Sequence, residues 1–132
     1  AAVGKKGEVI AMDIQPSMLE IARQRAKASQ LANIRFMLTG FGEQMLPENR
    51  FDRAILAAVL GEIPNPAQAL QEIALTLKPD GILSISEFYP DPHFLSQCDV
   101  RRLALIAGLM EVELFGNSAV FTINFRKPYP GM

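Results

Sequence analysis

The 132-residue sequence contains no tryptophan, one cysteine and one histidine. A lone Cys98 excludes an internal disulfide, which fits a reducing compartment such as the cytoplasm. Thirteen basic against fourteen acidic residues leave a net charge of −1, and no Lys or Arg cluster is longer than a pair, so a nucleic-acid footprint is not indicated. The apolar run of residues 54–60 is too short to cross a bilayer. We therefore expect a cytoplasmic protein without a nucleic-acid or membrane partner.

The middle of the chain predicts a strand, a helix and a second strand. Residues 54–60 are continuously apolar, which is typical of a strand covered on both faces. Asn65 is a suitable helix cap, and the turn at 78–81 ends the helix, with Gly81 tolerating positive φ. Residues 82–86 then form a second short strand. This order predicts a right-handed βαβ unit with parallel strands.

The rest of the chain continues the alternation of strands and helices. Strands are predicted over residues 8–12, 33–38, 110–115 and 119–126, and helices from Pro16 and after the cap Ser96. The last two strands flank a short connection and predict an antiparallel hairpin. We expect one α/β domain over residues 1–132, with 126–132 as a loose tail. Its architecture is an open, mainly parallel sheet with helices on both faces and a C-terminal antiparallel hairpin.

Asp13 is an acid at the carboxyl end of a predicted strand. Ligands of open α/β sheets lie outside the carboxyl ends of the strands, and a carboxylate there accepts hydrogen bonds from ribose hydroxyls. The alternative is that Asp13 merely precedes or caps the helix that begins near Pro16. Position alone leaves both interpretations open.

Other residues suggest chemistry less specifically. His93, Cys98, Asp91 and Asp99 lie close in sequence, but their spacing matches no common zinc pattern. His93 is chemically able to act as a general base, although a loop histidine is usually only a surface residue. Glu62 follows the 54–60 strand and is the better-placed acid, unless it only faces water. We therefore expect no metal site and assign no catalytic residue.

Several motifs, in their order and spacing, resemble the class I S-adenosylmethionine-dependent methyltransferases, nearest to the quinone-biosynthesis and methyltransferase domain 11 type. They are GEVIAMD at 7–13, PSML at 16–19, FD at 51–52, VLGEIPNP at 59–66, LKPDG at 77–81, SE at 86–87 and NFR at 124–126. The likeness covers nearly the whole chain. The closing hairpin distinguishes this family from nicotinamide-dependent dehydrogenases.

The resemblance implies an enzyme that transfers a methyl group from S-adenosylmethionine to a small acceptor, unidentified and selected in part by residues 88–95. It implies that Asp13 binds the cofactor ribose, that Ile14 and the loop at Gly42 and Glu43 line the adenine pocket, and that Ala57 and Ala58 approach the methionine part. Phe41 stands where the family usually has an acid that reads the adenine amino group. Methyl transfer needs mostly alignment of the acceptor, so no catalytic residue is expected.

Besides Phe41, the sequence departs from the family pattern in a larger respect. It lacks the glycine-rich loop and the first strand of the family. In the family's sheet order, 3-2-1-4-5-7-6, that strand separates the 8–12 strand from the 54–60 strand. We expect the gap to close within the chain or to be filled by a second copy, giving a homodimer. Cofactor binding is expected to be weakened or lost, which leaves the activity of this truncated chain open. The alternatives are a non-catalytic assembly module derived from a methyltransferase and an NAD-type nucleotide-binding half-domain.

Overall fold

The computed structural model describes residues 3–13, 15–38, 40 and 46–129. The chain divides into two compact units, Ala1–Met45 (unit 1) and Leu46–Met132 (unit 2). The expectation of one domain over the whole chain stays a prediction.

Unit 1 is a small strand-helix-strand unit. Its elements are β1 (Val9–Asp13), α1 (Pro16–Ala28) and β2 (Ile34–Leu38). The two strands are parallel, and α1 packs on both of them, burying Leu19 and Ala26. Before β1, the Asn33 side-chain amide donates to the carbonyl oxygens of Gly4 and Gly7, at 2.9 and 2.8 Å. This amide therefore holds the turn that leads into the sheet.

Unit 2 contains a four-stranded mixed sheet and two α-helices. Its elements are β3 (Phe51–Ala57), a 3-10 helix (Leu60–Glu62), α2 (Pro66–Thr76), β4 (Leu77–Phe88), α3 (Gln97–Ile106), β5 (Met110–Gly116) and β6 (Val120–Arg126). The strand order is β3-β4-β6-β5. β3 and β4 are parallel, whereas β6 is antiparallel to both β4 and β5. The expected α/β class and the C-terminal antiparallel hairpin are confirmed.

The sheet of unit 2 has one buried face. Alternate residues of β4 and β6 are buried, including Leu83, Ile85, Ile123 and Phe125, and α2 and α3 contact each other as well as the sheet. The residues between them form polar pairs on the other face, where Ser84 Oγ donates to Asn124 Oδ1 at 2.6 Å and the Ser86 and Thr122 hydroxyls lie 2.7 Å apart.

The expectation that residues 54–60 form a strand covered on both faces is wrong. Leu56 is buried, but Ile55 is 74% exposed, so no described residue covers one face of β3 at this position. The strand also ends at Ala57, because Ala58 adopts a left-handed conformation with φ 55° and the 3-10 helix begins at Leu60. A continuous apolar run thus combines the end of a strand with a buried turn.

The predicted turn at residues 78–81 also differs from expectation, because these residues lie within β4. Asp80, not Gly81, has the positive φ, at 69°. A Cβ on Gly81 would lie 2.8 Å from the Lys78 carbonyl oxygen, so glycine is needed there for close packing of the backbone. The ladder has already begun at Leu77, opposite Phe51, before residues 78–81 interrupt its register. The predicted caps are confirmed, since Asn65 accepts from the Gln68 N–H and Ser96 from the Asp99 N–H.

Within the described residues, β1 pairs with β2 and β3 pairs with β4, each along one edge. The two sheet orders, β1-β2 and β3-β4-β6-β5, match the parts of the family order on either side of its first strand. In the part of the chain that the structure describes, β1 and β3 each have one edge without a strand partner. That the chain itself or a second copy covers these edges stays a prediction.

Candidate functional site

In unit 1, Asp13 ends β1 and is half-buried. Its Oδ1 accepts a hydrogen bond from the Gln15 N–H at 2.9 Å. Gln15 is the N-cap residue of α1 and forms no side-chain cap, so Asp13 supplies an acceptor at the start of the helix. This contact supports the capping interpretation without excluding ribose binding, because an ionised carboxylate has about four lone-pair sites.

All three residues that the resemblance assigns to the adenine pocket, Ile14, Gly42 and Glu43, lie outside the described residues. Phe41, where an acid is usual, lies outside them as well. Their predicted roles stay predictions.

In unit 2, Ala57 and Ala58 lie at the carboxyl end of β3. Ala57 is exposed, and the Ala58 N–H donates to the Ser86 carbonyl oxygen of β4 at 2.9 Å. A left-handed conformation is unfavourable for alanine and occurs preferentially at functional sites, where the surrounding structure enforces it. Here the chain is held between the Ser86 hydrogen bond and the fully buried Leu60. The result is a sharp turn with small side chains at the sheet edge where ligands of this fold class bind.

The adjacent strand β4 ends in a loop, residues 89–95, that is fixed at several points. The Tyr89 N–H donates to the Ala119 carbonyl oxygen at 2.7 Å. The Phe94 ring makes edge contacts with two other rings. Its centroid lies 5.8 Å from that of Tyr89 and 6.1 Å from that of Phe121. At the end of the loop, the Leu95 N–H donates to Glu87 Oε1 at 3.0 Å.

Glu87 is the buried carboxyl group of this site. The residue is 3% exposed, and its buried Oε2 has no hydrogen-bond partner among the residues that the structure describes. Burial raises the pKa of Glu87, and the nearby charges of Asp91 and Glu62 act in the same direction, opposed by the hydrogen bond from Leu95. Our sequence interpretation missed a role for this residue. The available signal was its place in the buried alternation of Leu83, Ile85 and Glu87.

The loop after β4 also contacts the segment after β3. A Cβ on Gly61 would overlap the carbonyl oxygen of His93, so the glycine allows the two backbones to approach closely. The His93 side chain is exposed, and its backbone N–H donates to Asp91 Oδ1 at 2.8 Å. Glu62, the predicted better-placed acid, is exposed on the 3-10 helix.

The remaining candidates from the sequence do not form a site. Cys98 is exposed, and Asp99 pairs with Arg102 at 3.1 Å. In the part of the chain that the structure describes, no three His, Cys, Asp or Glu side chains are grouped so as to hold a metal ion. No helix in that part has the length and apolar character needed to span a membrane.

A hollow of about 470 Å³ lies near Leu75, Leu109 and Tyr129, beside the amino end of β4. It is at the opposite end of the sheet from Ala58 and Glu87. Ligands of open α/β sheets bind at the carboxyl ends of the strands. We therefore place the candidate site at the end of the sheet that holds Ala58 and Glu87, and not at the hollow.

Comparison with known proteins gives a consistent result. Residues 1–117 match the family described as a methyltransferase domain. The ubiquinone/menaquinone biosynthesis C-methyltransferase UbiE of Hydrogenovibrio crunogenus is 34% identical over 87 residues, covering 65% of this chain and 34% of that protein. The demethylmenaquinone methyltransferase of a Geobacillus species is 32% identical over 80 residues, covering 61% and 34%. The matched part of this chain thus spans about a third of the length of these relatives.

Solved structures extend the comparison to the fold. A SAM-dependent methyltransferase from Aquifex aeolicus superposes with a TM-score of 0.84, covering 94% of this chain and 71% of that one, at 23% identity. At this identity the match establishes a shared fold.

Proposed function

We propose, because this chain belongs to the methyltransferase domain family, that it forms part of an enzyme that transfers a methyl group to a small acceptor. The predicted kinship to S-adenosylmethionine-dependent methyltransferases is confirmed, and S-adenosylmethionine is the cofactor of that family. When bound, this cofactor supplies a methyl group already activated on a sulfonium. The protein must then bind both molecules, align them and exclude water.

The observation that supports this function most directly is the turn at Ala58. Its strained backbone and the loop of residues 89–95 follow two neighbouring parallel strands, β3 and β4, at the edge where ligands of this fold bind. The methyl side chains of Ala57 and Ala58 leave room for a ligand beside the backbone. Asp13 in unit 1 has a carboxylate of the kind that accepts hydrogen bonds from ribose hydroxyls.

For the acceptor, we infer a carbon atom of an electron-rich ring of the quinol type. The curated relatives are named as a C-methyltransferase and a demethylmenaquinone methyltransferase. Phe88 and Tyr89, 47% and 66% exposed at the end of β4, offer aromatic surface on which such a ring would pack.

Calorimetry with S-adenosylhomocysteine tests the cofactor part of the proposal and separates the two interpretations of Asp13. Micromolar binding by the wild-type chain supports the enzyme, and no binding supports a non-catalytic module. Asp13→Asn keeps an oxygen that can accept from the Gln15 N–H, whereas Asp13→Ala removes it. If Asp13 binds ribose, both variants weaken binding by at least about tenfold, the range for hydrogen bonds to a charged group.

The control variant is Asp52→Asn, since Asp52 is exposed and pairs with Lys78 at 3.4 Å. It should bind like the wild type. If Asp13→Asn also binds like the wild type while Asp13→Ala loses stability, Asp13 only caps α1 and the ribose assignment is wrong.

A second candidate function is a non-catalytic assembly module, which is favoured by the edges of β1 and β3 that no other described strand pairs with. On this proposal two copies form a homodimer, in the cytoplasm, through those edges. Light scattering at high concentration tests it, because a monomer would contradict pairing between copies. A thermal-shift assay with NAD addresses the half-domain alternative, and we expect no stabilisation by NAD.

A further inference from the structure

We propose that Glu87 is a positioning residue, which fixes the loop of residues 89–95 and thereby shapes the side of the site that meets the methyl acceptor. The part of this proposal that concerns the acceptor rests on the proposed function. The part that concerns the loop rests on the geometry of unit 2 alone.

The first step is the placement of the carboxyl group. Glu87 occupies a position at which the alternation of β4 calls for an apolar residue, after the fully buried Leu83 and Ile85. It lies opposite Phe121 of β6 in the ladder. A buried carboxyl oxygen such as Oε2, which lacks a partner within the described residues, is costly. A carboxyl group at a position where the strand pattern calls for an apolar side chain is typical of a functional site.

The second step is what Oε1 holds. It accepts from the N–H of Leu95, and the next residue, Ser96, caps α3 by accepting from the Asp99 N–H at 3.2 Å. One side chain at the end of β4 therefore fixes the junction where the loop enters α3. The beginning of the loop is fixed separately by the hydrogen bond from Tyr89 to Ala119.

The third step connects the loop to the turn after β3. The close approach of His93 to Gly61 couples the position of the loop to that of the 3-10 helix, which begins two residues after Ala58. If the anchor at Leu95 is lost, we expect residues 89–95 to move away from the carboxyl ends of β3 and β4. The acceptor side of the site would then change, while the core of unit 2 stays intact.

The charges around Glu87 explain why a neutral carboxamide is the appropriate comparison. Glu62 on the 3-10 helix and Asp91 on the loop both disfavour an ionised Glu87, as burial does. A neutral side chain in this position still offers an oxygen to the Leu95 N–H. Glu87→Gln therefore keeps the anchor, whereas Glu87→Leu fills a similar volume without it.

Hydrogen exchange followed by mass spectrometry on the full chain tests the proposal. We expect Glu87→Leu to raise the exchange rate of the Leu95 amide by about fivefold, as for one lost hydrogen bond, and Glu87→Gln to exchange like the wild type. If Glu87 served overall stability alone, exchange would instead rise throughout unit 2. Glu87→Leu loses one hydrogen bond but also removes the costly burial of a carboxyl group, so we expect overall stability to hold while the loop loosens. Wild-type exchange at Leu95 in Glu87→Leu would overturn the proposal.

Steady-state kinetics with a demethylated quinol as the methyl acceptor tests the link to the site. Glu87→Leu should raise KM for the acceptor about fivefold, with S-adenosylhomocysteine affinity within about twofold of the wild type, and Glu87→Gln should restore KM. An unchanged KM in an active Glu87→Leu variant would contradict a role at the acceptor side. If the wild type transfers no methyl group to any quinol, the proposed function fails, and the exchange result still decides whether Glu87 positions the loop.

Discussion

The two units differ in how much apolar surface they bury. In unit 1, the described apolar side chains that are buried are Leu19 and Ala26. Unit 2 buries side chains from β3, β4, β6 and both helices, and several of them are completely inaccessible. These fully buried residues are Leu60, Ala69, Leu70, Leu77, Leu83, Ile85, Val100, Ala104 and Ile123.

The cause is the number of elements that share a core. The described part of unit 1 has two strands and one helix, and Val9, Ile21 and Leu38 remain 38%, 45% and 58% exposed. Two-stranded sheets are at best marginally stable alone, whereas four strands packed against helices supply a continuous apolar face. The unit that carries Asp13 therefore has the smaller described core. Stability and the predicted ribose contact depend on different parts of the chain.

The largest expected effect comes from truncating the core of unit 2. Ile85→Ala should lower the free energy of unfolding by about 2–5 kcal/mol, because it removes a fully buried side chain and leaves a cavity. Ile55→Ala, the same change at a residue that is 74% exposed on the neighbouring strand, should cost at most about 0.5 kcal/mol. Urea unfolding measures both. Equal losses would show that the open face of β3 is covered in solution.

A smaller effect is expected for the amide exchange rates of the strands in the two units. Amides of β1 and β2 should exchange at least about 30-fold faster than those of β4 and β6, a difference of about 2 kcal/mol in opening free energy. Hydrogen exchange at low denaturant concentration measures this. If both ladders exchange at the same rate, the units unfold together and unit 1 is not the weaker part.

The patterns that predicted the structure best were local ones. Asn65 and Ser96 were identified as caps because their side chains satisfy N–H groups three residues ahead. The hairpin followed from alternating runs around a short connection, and the alternation appears in the structure as the burial of Phe121 and Phe125. Such interactions span few residues, so the sequence shows both partners.

The errors arose where distant segments decide the outcome. The exposure of Ile55 depends on what covers β3. Glycine is needed at position 81 because the carbonyl oxygens of Asp52 and Lys78 lie close to where a Cβ would be. The sequence showed Glu87 only as one residue of a motif. Nothing in the neighbouring residues indicates that its carboxyl group accepts a hydrogen bond from Leu95, eight residues later. Ala58 was predicted near the cofactor from the family resemblance, but its left-handed backbone leaves no sign in an alanine.

The smallest expected effect concerns ion pairs, and it also distinguishes the two units. In unit 2, Arg101 of α3 donates two hydrogen bonds to Glu111 of β5, at 2.6 and 3.2 Å, whereas in unit 1 Arg23 and Glu20 pair within one helix at 3.1 Å. Both pairs are partly exposed, so double-mutant cycles to alanine should give coupling energies of about 0.5–1 kcal/mol for the first and about 0.2–0.5 kcal/mol for the second.

The pH dependence follows from Glu111. The hydrogen bond from Arg101 lowers the pKa of Glu111 below its ordinary value of 4.5. The ionised Glu111 therefore makes its full contribution to the free energy of unfolding above pH 4.5. This contribution is lost as the pH falls through the lowered pKa of Glu111 in the folded state. Urea titrations of the Glu111→Gln variant and the wild type should converge in this acidic range and differ at neutral pH. A difference that persists unchanged below the folded pKa would show that Glu111 stabilises unit 2 by packing and not by its charge.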